Sequence, residues 1–364
     1  MAAVNYDRLL KLFVDLCSVD TFHPNEAPAD AMLRAALQPC GVTFTNDAIG
    51  NLIGTWPAKG KTSEPIMLNA HTDTVWATPT MKPIVKDDGV WSDESSVLGA
   101  DDKAGVAAIV EAVLVLHESG EPHGLVELVF TVGEDVGHIG SKAFDPASVK
   151  SRRAFVLDGG GPVGGIVVHA PGQRRMIARF KGKAAHAGVE PEKGRSAIVM
   201  LAKAIAKMPH GRIDNETTAN IGSISGGQAY NIVAETAELK CEARSLDSNK
   251  LIKLCDRMIA AMQDAAHELE GTVHIEDLNT YRGFQLADDD PAVVLADKAL
   301  RACGVTPVHK PTGGGSDANE FMQKGITSVV LAAGYVDVHS VKEFMPHDQL
   351  RKLAEVTIEL IRHA

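Results

Sequence analysis

Carboxylates and histidines stand at five separated places in this chain: His71-Thr72-Asp73, Gly99-Ala100-Asp101-Asp102-Lys103, Gly133-Glu134-Asp135, Leu157-Asp158-Gly159 and Val338-His339-Ser340. Apolar runs of strand type precede the first, third and fourth: Ile66-Met67-Leu68, Leu128-Val129-Phe130 and Phe155-Val156-Leu157. Acids placed where strands end can converge at one edge of a sheet. Several carboxylates in one pocket repel one another and take up protons unless a cation is present. The pattern therefore points to a hydrolase that uses one or two divalent metal ions.

Each motif also has a plainer reading. His71 suits a metal as a neutral imidazole, with Asp73 holding its tautomer; alone it reads as a turn histidine. Asp101 can bridge two cations through its two oxygens, with Asp102 and Lys103 as local support; alone it reads as a helix cap. Glu134-Asp135 is sharper, because adjacent acids repel unless their roles differ. One can bind metal while the other serves as general base; the plain alternative is a solvated acidic turn. Asp158 before three glycines is a ligand or a turn aspartate, and His339 in its late loop says little by itself.

The elements around these residues alternate in the first half. Leu9, Leu10, Phe13, Val14 and Cys17 recur at helical spacing. Strands are expected over 51–56, 65–70, 125–132 and 153–157, and a mostly buried helix over 102–116. This favours an α/β layer with a partly parallel sheet. The character changes near Pro171: strand 174–180, helix 196–208, strand 234–244, helix 251–269 and strand 272–275 suffice for a small α+β domain. After about Gly283 the first pattern returns, with helix 291–303, strand 328–331 and helix 350–363. The layout is a discontinuous domain, 1–170 with 283–364, carrying an inserted domain over 171–282.

With 36 basic and 47 acidic residues the formal net charge is -11, and no basic stripe offers itself to nucleic acid. No apolar stretch approaches the roughly 18 residues of a membrane span, and the N-terminus lacks the pattern of a signal peptide, so a cytoplasmic protein is expected. The five cysteines, Cys17, Cys40, Cys241, Cys255 and Cys303, are widely spaced and read as reduced, mostly buried thiols. Asn215-Glu216-Thr217 reads as a chance glycosylation match, and Asp288-Asp289-Asp290 as a solvated helix start.

Together the segments MLNAHTDTV, GADDKAG, TVGEDVG, VLDGG, GKAAHAGVEPEKGRSAI and VHSVKEF resemble the M20 family of co-catalytic zinc peptidases, in that family's order and approximate spacing. GADDKAG and LDGG are most similar to its tripeptidase T-like branch. The resemblance implies a catalytic domain with a mixed, mostly parallel sheet and helices on both faces, and an inserted α+β domain serving as lid or dimerisation domain. It implies two Zn2+ ions, with Co2+ or Mn2+ as substitutes: His71, Asp101 and Asp158 on one, Asp101, Asp135 and His339 on the other. Asp73 would support His71, Glu134 would be the general base, and His186 of the inserted domain would stabilise the oxyanion. Relatives commonly carry Glu where this chain has Asp135, whose shorter side chain needs a small backbone adjustment to reach metal. Asn231 and Arg244 fall where lid residues of relatives contact substrate, though Arg244 equally reads as a surface ion-pair residue. Gly313-Gly314-Gly315-Ser316-Asp317-Ala318-Asn319 resembles a substrate loop, which places Gly314 and Ser316 at the substrate; the plain alternative is a linker with Ser316 or Asp317 as helix cap.

The expected activity is therefore that of a zinc-dependent exopeptidase on short peptides, an aminopeptidase of tripeptidase type, using a metal-bridging hydroxide and Glu134, and forming a homodimer through the inserted domain. An N-acyl amino acid deacylase or a carboxypeptidase would share the metal site and differ in the pocket. A non-catalytic metal-stabilised binding protein is the reading from another class, and Glu134 counts against it because a structural site needs no base.

Overall fold

A computed structural model describes residues 3–364. The chain divides into two compact units. The first comprises the residues up to Val168, then Gln285–Pro311 and Ser316–Ala364; the second comprises His169–Phe284 with Thr312–Gly315. The second unit thus draws four residues from the glycine-rich loop, which a continuous insertion over 171–282 does not contain.

The first unit is built on a mixed sheet. Its strands run in the order Thr43–Asn46, Leu52–Trp56, Val126–Thr131, Ile66–His71, Arg153–Gly159, Thr327–Ala332 and Gly165–Ala170. The four strands from Val126–Thr131 to Thr327–Ala332 are mutually parallel, and the neighbours on either side pair antiparallel. Both Ile66–His71 and Val126–Thr131 are buried at every position, which is why they read as continuous apolar runs rather than alternating ones. Parallel strands share one direction, so the loops that leave their C-terminal ends open at one edge. His71, Glu134 with Asp135, Asp158 and His339 all lie at or just after such ends.

Helices flank this sheet. Ala100–Ser119 is buried around nearly its whole circumference, so it shows no amphipathic stripe. It lies against Ile66–His71 and Arg153–Gly159 and is covered by Tyr6–Cys17 and His347–His363. Tyr6–Cys17 buries Leu9, Phe13, Leu16 and Cys17, the helical spacing seen in the sequence, and Asn5 caps it by accepting from the Arg8 N–H. Asp290 caps Pro291–Ala302 by accepting from the Ala292 N–H at 2.8 Å. All five cysteines are free, and all but Cys303 are buried.

The second unit is an antiparallel five-stranded sheet, ordered Gly211–Asp214, Thr217–Gly226, Thr236–Ser245, Gly172–Lys181, Thr272–Tyr281. Along Thr236–Ser245 the residues Ala237, Leu239, Cys241 and Ala243 are buried and alternate with more exposed ones. Helices Ala197–Lys207 and Ser248–Glu268 supply Met200, Leu201, Met258 and Met262 to the same core. Each such side chain contributes roughly 1.5–3 kcal/mol by leaving water. Asp247 caps the longer helix, accepting from the N–H groups of Asn249 and Lys250 at 2.7 and 3.0 Å, worth typically about 1 kcal/mol. Strand Thr217–Gly226, almost free of large apolar residues, is one that sequence patterning does not predict.

Candidate metal centre

Asp101 is the hinge of the site. Its Oδ1 lies 3.2 Å from His71 Nε2 and its Oδ2 lies 3.3 Å from His339 Nε2, so the two oxygens of one carboxylate face two different imidazoles. His339 Nε2 also lies 3.1 Å from Asp135 Oδ1. Ligand atoms of His71, Asp101 and Asp158 lie within 4.8 Å of one another, and so do those of Asp101, Asp135 and His339. A third such group, His71, Asp73 and Asp135, overlaps both. Asp73, however, already accepts from the backbone N–H groups of Glu134 and Asp135 at 2.9 and 3.1 Å, while its Oδ1 stands 3.3 Å from His71 Nδ1. One carboxylate thereby fixes the imidazole and the loop that carries the two other acids.

Local structure explains how these side chains are aimed. Gly99 takes φ +75 ahead of Asp101, and the Asp101–Asp102 peptide is cis. Asp101 itself has φ -79 and ψ 104, outside the helix that follows. The turn is held by Glu343, whose two oxygens accept from the N–H groups of Gly99 and Asp101 at 2.8 and 3.0 Å. One turn into the helix, a Cβ on Gly105 would stand 2.5 Å from Asp102 Oδ1 and 2.8 Å from the Leu157 carbonyl, so only glycine fits. The loop after Val126–Thr131 is pinned by Asn51, which accepts from the Val132 N–H at 3.1 Å and donates to the Gly140 carbonyl at 2.9 Å. Tyr335 donates its hydroxyl proton to Asp158 Oδ1 at 3.0 Å.

The electrostatics are those of a site that needs positive charge. Burial, then the charge of Asp101, pushes Asp158 well above the usual carboxylate range. Burial, then Asp158, does the same to Glu134 and to Asp102. Burial raises Asp135 despite the hydrogen bond from His339. Asp101 goes the other way: burial acts upward, but hydrogen bonds from His339 and His71 outweigh it and hold the carboxyl below its ordinary range. His339 is pushed up to about 10 by its hydrogen bonds to Asp101 and Asp135. His71 is also raised, its carboxylate partners overcoming a large opposing effect of burial. Asp135 Oδ2 is buried with no hydrogen-bond partner. The raised values at His71, His339, Asp135 and Asp158 mark positions where divalent cations could take the place of protons. The donor set of two imidazoles and three carboxylates, with Asp101 shared, fits a pair of such ions.

The remaining predicted residues divide between the units. Ser316 belongs to the first unit, where it opens the short helix Asp317–Gln323 and its N–H donates to Asn319 Oδ1 at 3.0 Å; that is the capping alternative read from sequence. His186, Asn231, Arg244 and Gly314 belong to the second unit. There His186 pairs with Ile232 in a β-bridge, and the Ala187 N–H donates to the Asn231 carbonyl at 2.9 Å, so the segments carrying His186 and Asn231 run side by side. Both residues are exposed. His186 Nδ1 accepts from the Gly188 N–H at 3.2 Å, which leaves Nε2 as the donating nitrogen. Arg244 makes a two-pronged pair with Glu242, at 2.9 and 3.2 Å, and reaches the Gly313 carbonyl at 3.3 Å. Within the unit, then, the Arg244 guanidinium is shared between Glu242 and the glycine-rich loop.

Sequence reasoning gave no role to Glu343, Tyr335 or His138. Glu343 sits inside the quoted VHSVKEF segment, four residues after His339, and that spacing was the one available signal. Tyr335 and His138 offered none.

The chain is similar to known proteins along nearly its whole length. The sequence pattern of Peptidase family M20/M25/M40 matches residues 67–363. The chain is 42% identical, over 99% of both chains, to an uncharacterized protein, YqjE, of Bacillus subtilis (strain 168). Among solved structures it is similar to aminopeptidase PepT from Bacillus cereus, with 42% identity, a TM-score of 0.89 and 99% of each chain covered. It is likewise similar to a tripeptidase from Staphylococcus aureus, with 36% identity, a TM-score of 0.93 and 99% and 98% of the two chains covered. The match passes through both units and through every strand end that carries a ligand candidate, and the chain is accordingly a member of peptidase family M20/M25/M40, hydrolases that act on peptides.

Proposed function

We propose that this protein is a zinc-dependent exopeptidase of the cytoplasm that removes the N-terminal residue from short peptides, tripeptides above all. The observation that carries the reading is Asp101, one carboxylate set between His71 and His339 with a second acid, Glu134, buried beside the cluster and outside all three ligand groups. The preference for an aminopeptidase acting on tripeptides rests on two relatives, 42% and 36% identical, that are an aminopeptidase and a tripeptidase.

In this reading His71, Asp101 and Asp158 hold one cation, and Asp101, Asp135 and His339 hold the other. When bound, the two ions supply the positive charge that acidifies water and polarises the scissile carbonyl. Asp73 keeps His71 in one orientation. Glu134 takes the proton of the attacking water on its carboxylate and delivers it to the nitrogen of the departing amine. His186 donates from Nε2 to the oxyanion, and Asn231, Arg244, Gly314 and Ser316 contact the peptide. The second unit serves as lid and as dimer surface; an apolar groove of Ile198, Leu201, Ile224 and Ala237 on it supports pairing with a second copy.

The test is to incubate zinc-loaded protein with a mixed library of di- and tripeptides and acylated amino acids and to identify products by mass. Release of N-terminal residues from tripeptides is the expected outcome. Products only from acylated amino acids, or release only from the C-terminus, would replace the aminopeptidase reading with a deacylase or a carboxypeptidase.

A further inference from the structure

The turn that carries Glu134 contains a buried imidazole for which the scheme above has no use. His138 is only 6% exposed and takes φ +59, a left-handed conformation that non-glycine residues seldom adopt. The turn is fastened throughout. The N–H groups of Gly137 and His138 both donate to the Glu134 carbonyl, at 2.9 and 2.8 Å, and the Ile139 N–H donates to the Gly133 carbonyl at 2.9 Å. The Gly133 N–H is in turn held by Glu26 Oε1 at 3.1 Å. In this frame the imidazole of His138 comes back over its own turn. Its Nε2 lies 3.2 Å from Glu134 Oε1, and its Nδ1 faces Glu320 Oε1, on helix Asp317–Gln323, at 3.9 Å. The imidazole thus stands between two carboxylates, close to Glu134 and farther from Glu320.

We propose that His138 is a positioning residue for Glu134: its Nε2–H holds one oxygen of the carboxylate and leaves the other to receive the proton of water. A flexible glutamate otherwise samples several rotamers, and a base that must meet water at hydrogen-bond distance loses rate whenever it turns away. Glu320 Oε1, 3.9 Å from Nδ1, lies beyond hydrogen-bond distance and acts on the ring through its charge. The plain alternative is that His138 fills space under the turn and touches Glu134 only because the backbone brings it there. The two differ in what a replacement must supply, a donor at Nε2 or merely volume.

This inference rests on Glu134 being the base, so Glu134→Ala is measured alongside. Three replacements separate donor from volume: His138→Ala, His138→Phe, and His138→Gln, whose amide nitrogen reaches about as far as Nε2. Each is loaded with zinc and assayed on the tripeptide cleaved fastest from the library, with metal content and Tm recorded. The expected result is kcat lower by ~10- to 100-fold in the Ala and Phe variants, the range of one hydrogen bond to a charged group, with KM and metal content unchanged. His138→Gln should recover most of the loss. In metal-free protein, the ring 15N signals of His138 should show the Nε2–H tautomer and shift when Glu134 becomes Gln. Unchanged kcat in His138→Ala and His138→Phe, with Glu134→Ala inactive, overturns the role of His138 alone. A Gln variant as slow as the Phe variant overturns it too, and so does a 15N signal indifferent to Glu134→Gln. Retained turnover in Glu134→Ala overturns the base assignment and this inference with it.

Discussion

The two units bury their polar residues in opposite ways. In the first, strands such as Val126–Thr131 are buried on both faces, and the acids at their ends are buried, as Asp73 and Glu134 are, or half-buried, as Asp135 and Asp158 are. In the second, Thr236–Ser245 alternates between core and surface, and the residues of interest, His186 and Asn231, are exposed. The charges follow. Burial pushes Asp158, Glu134 and Asp135 upward, whereas Asp214 in the second unit falls to about 2, because the Glu216 N–H and then Lys250 donate to it. The first unit carries the clustered acids and candidate metal ligands, so its function and its stability are expected to be coupled. In the second unit the residues of interest are exposed, so changes there should act on rate alone.

Removing metal tests this contrast most severely. Chelation is expected to abolish turnover and lower Tm, with zinc, cobalt or manganese restoring activity. Amide hydrogen exchange should quicken at 99–102 and 133–138 and stay unchanged in Gly172–Lys181 and Thr236–Ser245. Full turnover in metal-free protein would break the comparison outright. Glu134→Ala is next in size: kcat should fall by at least about 10²-fold, the lower range for a positioned acid–base group, while metal content stays near that of the parent. A variant that loses zinc but keeps its activity per bound ion would show that Glu134 and Asp135 have exchanged roles.

His186→Ala probes the other unit. It is expected to keep both metals and its Tm and to lose kcat by about 10²- to 10³-fold, the effect of one oxyanion donor. Mixing it with Glu134→Ala protein under subunit exchange should return some activity if the histidine serves a partner's site; none, with exchange demonstrated, assigns it to its own chain. The smallest effect concerns Asp214. Its folded value of about 2 lies below the ordinary 3.8, so its contribution to stability is present above pH 3.8 and is lost as pH falls through about 2. Following unfolding across that window, Asp214→Asn should remove a small part of the acid-induced loss, and a slope identical to the parent's would refute the assignment.

The sequence carried the candidate ligands because those residues sit next to strong local signals. Ile66-Met67-Leu68 before His71 and Leu128-Val129-Phe130 before Glu134 are apolar runs that form strands wherever they are buried, and the short loops after them hold few residues to choose among. The alanine-rich helix was legible for the same reason. Strand Thr217–Gly226 was not: it is polar, and its backbone is paired along Thr236–Ser245, a partner that local pattern does not reveal. Nor did the glycine-rich loop announce that Thr312–Gly315 belongs with one unit and Ser316 with the other.

By itself, then, the chain determined which acids and histidines stand at strand ends and that cations could balance them. Only the tertiary structure decided that Asp101 turns one oxygen to His71 and the other to His339, that Glu343 clamps the backbone beneath it, that Tyr335 donates to Asp158 and that His138 folds back on Glu134. The reason is range. Propensity and periodicity act over a few residues along the chain, whereas Glu343 meets Gly99 across 244 positions and Tyr335 meets Asp158 across 177. Contacts of that separation exist only once the order of the sheet strands has been set.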